Sequence, residues 1–143
     1  MTTLIPYLNF DAEKTKQAME FYKSVFGGEL TMQTFGEAGM AKTDEEKDHV
    51  IHAELKADGV HFMASTGHPG QAVNFGDNIH MSLMGEDETT LTDWFNKLSE
   101  GGKVDMALAK QFWGDTYGQL TDQFGVHWMV NISSGKPQEK PQE

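Results

Sequence analysis

One internal repeat constrains this chain more than any other feature. Gly59-Val60-His61-Phe62-Met63 returns as Gly125-Val126-His127-Trp128-Met129, 66 positions on. Gly27-Gly28 returns as Gly101-Gly102, 74 positions on, and that second offset also lays Ile5-Pro6 over Ile79-His80. Self-similarity at a fixed spacing marks a duplicated structural unit. The eight-residue difference between the offsets places a longer middle segment in the first half, where Gly36 to Asp48 is rich in glycine and charge and reads as a long loop. Loops of that length serve either as lids over sites or as flexible insertions.

Each half carries one helix signal. In the first, Ala18, Phe21, Tyr22, Val25 and Phe26 recur at the spacing of one buried helical face, with Asp11 as the expected cap and Gly27-Gly28 as the stop. The second repeats this with Leu91, Trp94, Phe95 and Leu98, an acidic first turn at Glu86, Asp87 and Glu88, and Gly101-Gly102. Strands are expected at Leu4–Phe10, Glu29–Phe35, His49–Lys56, Val60–Thr66, Asn78–Met84, Lys103–Lys110, Tyr117–Thr121 and Val126–Ile132. The order is strand, helix, three strands, and then the same again: an α+β chain of two tandem βαβββ modules.

The dipeptide Asp58-Gly59 between alternating runs predicts a two-residue hairpin turn. Such a turn pairs Lys56 with His61, Leu55 with Phe62, Glu54 with Met63, Ala53 with Ala64 and His52 with Ser65. Opposed residues share a face. One face is therefore small and apolar (Ala53, Leu55, Phe62, Ala64), suited to packing under a helix. The other carries His52, Glu54, Lys56, His61, Met63 and Ser65. The last strand repeats the division, with His127, Met129 and Asn131 opposed to Val126, Trp128 and Val130.

Composition removes several functions. The 143 residues include no cysteine, so thiol nucleophiles, disulfides, iron–sulfur clusters and Cys-ligated zinc are excluded. All 11 basic residues are lysine against 22 acidic ones, a net charge of −11, which argues against nucleic acid and anionic membranes. No apolar run approaches the roughly 20 residues that span a bilayer. The start, MTTLIPYLNF, lacks a charged leader region, and a cytoplasmic location is expected. Residues 1–135 read as one domain, with modules at about 1–70 and 74–133, and the polar segment 134–143 as a disordered tail.

The clustered motifs resemble a known family. Pro6-Tyr7-Leu8-Asn9-Phe10, Phe21-Tyr22, Phe26-Gly27-Gly28-Glu29-Leu30, His52-Ala53-Glu54, Phe112-Trp113-Gly114, Tyr117-Gly118 and Thr121 through Met129 are similar to the PhnB-like branch of the vicinal oxygen chelate superfamily. That branch is often labelled a 3-demethylubiquinone methyltransferase domain, and the superfamily includes glyoxalase I and bleomycin-resistance proteins. One departure is Gln123, where the branch commonly has proline. The resemblance implies that the modules curl into a curved mixed-sheet half-barrel with helices on its outer face, enclosing one concave site. It also implies a homodimer with its sites near the subunit contact.

Metal-dependent relatives place one ligand on the first strand and one carboxylate on the last strand of each module. Carried over by position, these places hold Pro6, Met63, His80 and Met129. Only His80 suits a hard divalent ion, because thioether sulfur is soft and proline offers no ligand atom. The inherited metal site therefore reads as dismantled, with His80 the one candidate ligand, and no cofactor is assigned. Methyl transfer finds no Gly-rich strand-to-helix turn with an acidic ribose partner to hold a nucleotide-type cofactor. With no arginine, a phosphonate substrate lacks its usual planar clamp.

What remains is acid–base chemistry, for which His80, Glu54 and His127 are the catalytic candidates. His52, His61, Met63, Trp113 and Met129 are expected to line the substrate pocket. Trp113 is a flat wall or ordinary packing, and Met32 and Met106 add adaptable apolar surface. The first expectation is a metal-independent small-molecule-binding protein, with a cationic ligand best matched to the acidic field. The alternative is a divalent-metal-dependent lyase, isomerase or dioxygenase of the glyoxalase type using His80 and Glu54. A third is an interaction protein whose cavity is filled by its own side chains.

Overall fold

The computed structural model describes residues 1–67 and 72–135. The tail assigned from the sequence thus falls outside the described residues from position 136 onward. The chain divides into two compact units, Met1–Asn74 and a second beginning at Phe75. The first contains β1 (Tyr7–Phe10), α1 (Lys14–Phe26), β2 (Glu29–Thr34), a short 3₁₀ turn (Glu46–Asp48), β3 (Val50–Ala57) and β4 (Val60–Thr66). The second contains β5 (Met81–Gly85), α2 (Glu88–Ser99), β6 (Lys103–Lys110), β7 (Thr116–Thr121) and β8 (His127–Ile132). Each builds an open four-stranded mixed sheet, in the orders β1-β4-β3-β2 and β5-β8-β7-β6. The first strand of each unit runs parallel to the last, and the other pairs are antiparallel.

Hydrophobic alternation sets the sheet faces. The β3–β4 ladder pairs Ala57 with Val60, Lys56 with His61, Leu55 with Phe62, Glu54 with Met63 and Ala53 with Ala64. That register sends Ala53, Leu55, Phe62 and Ala64 under α1, where all four are buried together with Ala18, Met19, Tyr22, Val25 and Phe26. Phe62 packs nearly perpendicular to Tyr22 and Phe26, with ring centroids 5.4 and 6.3 Å away. Each such fully buried side chain contributes about 1.5–3 kcal/mol of transfer energy. In the second unit Leu91, Phe95 and Leu98 of α2 are buried along with Leu120, Trp128 and Val130 of its sheet. Phe21 and Trp94, expected in the two stripes, are half-buried at their margins.

The repeated glycine pair has a steric cause. A Cβ on Gly28 would lie 2.2 Å from the Lys56 carbonyl oxygen, and one on Gly102 would lie 2.3 Å from that of Thr121. In both units the chain leaving the helix passes against the same hairpin end, and only glycine lets the backbones approach so closely.

Helix entry differs from the sequence expectation. Asp11 does not cap α1 through its side chain: its carboxylate accepts the Val73 N–H at 3.0 Å, while its carbonyl accepts from Lys14. The N-cap position is Glu13, which makes no side-chain cap bond. In α2 only Glu88 of the three acidic residues lies in the first turn, while Asp87 is the N-cap and accepts both the backbone N–H and the hydroxyl of Thr90. The first strands are also shorter than expected. Leu4 is almost fully exposed, and β5 begins at Met81 rather than Asn78.

Register corrects one alignment within the repeat. Tyr7 pairs with Met63, and Ser82 pairs with Met129, so the first strands correspond at an offset of 75 rather than 74. The compensating step lies before the helix, where three residues join β1 to α1 but two join β5 to α2.

Candidate functional site

Sheet alternation puts Tyr7, Asn9, Glu54, Met63 and Ser65 on the face of the first sheet opposite α1. On this face His61 Nε2 lies 2.9 Å from Glu54 Oε2. Tyr7 Oη lies 3.0 Å from His52 Nδ1, with the two rings 5.8 Å apart. The His61 hydrogen bond holds the Glu54 carboxyl below the usual carboxylate range, helped by the charges of Lys56, His61 and His52 against a smaller opposing desolvation. Glu54 is therefore an anion bonded to the His61 ring.

A cavity of about 670 Å³ opens at one end of this face, within the usual size of small-molecule sites. Tyr7 and Asn9 of β1 and Ser65 and Thr66 of β4 form its floor. Phe35 reaches it from the turn just after β2, and Met40, Lys42 and Glu46 from the Gly36–Asp48 loop, so the loop contributes walls to this cavity. Its base continues the β2–β3 ladder, with the Phe35 N–H donating to His49 and the Gly36 N–H to Lys47. Met40 N–H returns to the Phe35 carbonyl at 2.9 Å, and Lys42 N–H donates to Glu46 Oε2 at 2.9 Å.

Ile51 completes the lining through an irregularity. The β2–β3 register runs from Gln33–His52 directly to Thr34–Val50, leaving Ile51 as an extra residue. Bulges of this kind re-aim a side chain. Ser65 fixes the bulge by donating its hydroxyl to the Ile51 carbonyl at 2.6 Å.

None of the residues expected to be catalytic or to form the substrate pocket lines this cavity, although His52 bonds to its Tyr7. Two signals in the sequence point toward it: the adjacent apolar pair Val50-Ile51 that breaks strict alternation, and the long loop itself. His52, Glu54, His61 and Met63 share the sheet face just described. His80, His127, Met129 and Trp113 belong to the second unit.

In that unit the His80 and His127 rings lie 5.4 Å apart. His127 is held at both nitrogens, with Nδ1 2.9 Å from Thr121 Oγ1 and Nε2 3.1 Å from the Gly76 carbonyl. Thr121 in turn donates to Asp105 at 2.7 Å. Tyr117 donates its hydroxyl to the Met129 sulfur at 3.7 Å. Trp113 is partly exposed and packs at steep ring angles against Phe112 and Tyr117. Gly118 makes room for the Phe95 ring of α2.

The places carried over from metal-dependent relatives, Pro6, Met63, His80 and Met129, do not fit a hard divalent ion, because only His80 brings a suitable donor. Beside the two methionines the sheet offers only hydroxyls on the paired first strand, Tyr7 opposite Met63 and Ser82 opposite Met129. Neither partner brings the anionic or imidazole donor such an ion requires. His80 lies two residues before Ser82, outside the paired strand. Among the described residues no three His, Asp or Glu side chains are gathered as a metal centre needs. Likewise no helix among them is long and apolar enough to cross a membrane.

Two open βαβββ sheets, each with a helix on one face, define the glyoxalase/bleomycin resistance/dioxygenase fold. A member of that superfamily from Sphaerobacter thermophilus DSM 20745 shares it at a TM-score of 0.56 and 14% identity, over 93% of this chain and 99% of the other. The chain belongs to the PhnB-like family described as 3-demethylubiquinone-9 3-methyltransferase, which matches residues 2–131. The crystal structure of protein PA1353 from Pseudomonas aeruginosa is 34% identical, with a TM-score of 0.83 over 93% of this chain and 98% of that one. Protein YjdN of Escherichia coli K12 is 30% identical over 94% of this chain and 97% of its own length.

Proposed function

We propose that this protein binds a small organic molecule without a metal ion, taking it into the cavity between the Gly36–Asp48 loop and the ends of β1 and β4. The observation that carries the reading is the cavity's mixed lining. Phe35, Met40 and Ile51 supply apolar walls, while Asn9 and Ser65 supply hydrogen-bonding groups. Such a combination orients a ligand as well as desolvating it. The Tyr7–His52 and Glu54–His61 pairs extend the polar surface along the same sheet face, where an oriented histidine beside a carboxylate can move a proton.

The methyl transfer named in the family's description draws no support from the strand-to-helix connections. Asp11-Ala12-Glu13 and Glu86-Asp87 contain no glycine to cradle a nucleotide-type cofactor. The expected assembly is a homodimer, following the family resemblance, and light scattering would measure it.

A thermal-shift screen against a metabolite panel, followed by amide NMR mapping, tests the binding reading. Support is a saturable hit that moves the Phe35, Met40 and Ser65 amides and is lost in a Ser65→Trp variant. A panel without any saturable hit, or hits unaffected by that variant, would overturn it.

A further inference from the structure

We infer that the cavity takes an organic carboxylate with a compact apolar body, the carboxylate lying against Lys42. The inference rests on the binding reading above and assigns the ligand's charge, which composition alone assigns with the opposite sign. A net charge of −11 favours a cationic ligand at long range. At the cavity the groups free to meet a ligand differ from that average.

Two charged side chains stand on the wall, Lys42 and Glu46. Glu46 keeps its charge but turns one oxygen back to the loop, its Oε2 accepting the Lys42 backbone N–H at 2.9 Å while its own backbone N–H donates to Thr43 at 3.3 Å. The Lys42 ammonium makes no ion pair among the described residues. Hydroxyl directions polarise the cavity further. Ser65 gives its proton to the Ile51 and Thr66 carbonyls, and Thr66 bonds to the Ala12 carbonyl and the Thr15 hydroxyl. Ser65 therefore turns lone pairs toward the space and opposes an anion there. The loop side holds the cation. Asn9, whose carboxamide can both donate and accept, suits a neutral polar group between them.

The apolar body follows from the remaining walls. Met40 N–H folds back on the Phe35 carbonyl, fixing that part of the loop beside the cavity, and the bulge fixes Ile51. A ring or branched chain fills such a space, and a thioether adapts to its shape. A carboxylate there meets an unpaired ammonium in an otherwise repulsive acidic field, so its affinity depends on that one lysine and on ionic strength.

Three matched probes separate the alternatives: 3-phenylpropionate, 3-phenylpropionamide and 3-phenylpropylamine, titrated into the full chain with amide NMR and calorimetry as readouts. The expected result is tightest binding of the carboxylate, with shifts centred on Phe35 to Glu46 and on Ser65. Lys42→Gln should weaken it about fivefold, added salt should weaken it further, and Lys110→Gln should leave it unchanged. Equal or tighter binding of the amide or amine, or an unaltered affinity in Lys42→Gln, would overturn the carboxylate assignment while leaving small-molecule binding standing. Failure of all three probes to shift these amides would overturn it as well, and the wider panel would then decide the binding reading on its own.

Discussion

Glu54 and His61 sit diagonally across the β3–β4 hairpin, with His61 Nε2 2.9 Å from Glu54 Oε2. The pair exists because a two-residue turn at Asp58-Gly59 fixes the register and directs both side chains to the face away from α1. The hydrogen bond lowers the Glu54 pKa from an ordinary value of 4.5. A depressed carboxyl stabilises the fold above its unfolded value, and that contribution disappears as pH falls through the folded one. Replacing His61 by alanine removes the main cause. A carbon-13 titration of the Glu54 side chain should show its midpoint move upward in His61→Ala, and should show no movement in Lys110→Ala.

The second prediction concerns the two adjacent glycines after α1, which differ in what surrounds them. Gly27 has φ of +72° with nothing within 4 Å of an added Cβ, whereas Gly28 has φ of +82° and would strike the Lys56 carbonyl at 2.2 Å. Gly27 pairs its positive φ with a ψ of −151°, a backbone region essentially confined to glycine, so Gly27→Ala meets that strain alone, about 1–3 kcal/mol. Gly28→Ala adds a backbone clash and should cost about 3 kcal/mol or more. Urea unfolding of both variants measures the difference. Equal midpoints would show that the close approach does not constrain the helix exit.

Hairpin and helix were legible in the sequence because their signals are local. Asp58-Gly59 sets the β3–β4 pairing one rung at a time, and the apolar stripe of α1 marks its buried face without reference to anything distant. Asp11 illustrates the opposite case. Its residue type and place suit a cap, but the Val73 backbone, 62 residues away, claims its carboxylate. The first-strand offset failed for a similar reason, since a one-residue difference in the following connection leaves no mark in composition. Cavity residues were the least legible. Ile51 enters through a bulge, and Phe35 and Met40 through loop hydrogen bonds, all of them products of the folded chain.

Metal binding gives a third test, set by the inherited places Pro6, Met63, His80 and Met129. Protein purified without an affinity tag should retain no stoichiometric Ni, Zn, Mn or Fe. Titration with each ion to millimolar concentration should leave the His80 and His127 ring resonances in place. Stoichiometric retention that is lost in His80→Ala would establish a site built from other donors and restore the metal-dependent reading.

The last prediction rests on Asp122, a buried carboxylate at the β7–β8 turn, 3% exposed. It accepts the backbone N–H groups of Phe124 and Val126 at 2.8 and 3.1 Å, and the indole N–H of buried Trp128 at 2.8 Å. One side chain thereby closes a turn longer than its Asp58-Gly59 counterpart and satisfies the donor of the largest residue in that unit's core. Asparagine preserves the shape but replaces one acceptor oxygen with an amide donor, leaving either the indole or the turn amides facing an N–H. Hydrogen bonds to charged groups contribute about 1.5–3 kcal/mol each, and a buried donor left unpaired costs a similar amount. Asp122→Asn should therefore destabilise the protein by about 2–4 kcal/mol, read from urea unfolding. Trp128→Phe removes the indole donor, so in its background the Asn substitution should cost less, and the double-mutant cycle isolates the indole contact. Additive effects in that cycle would mean that Asp122 acts through the turn alone.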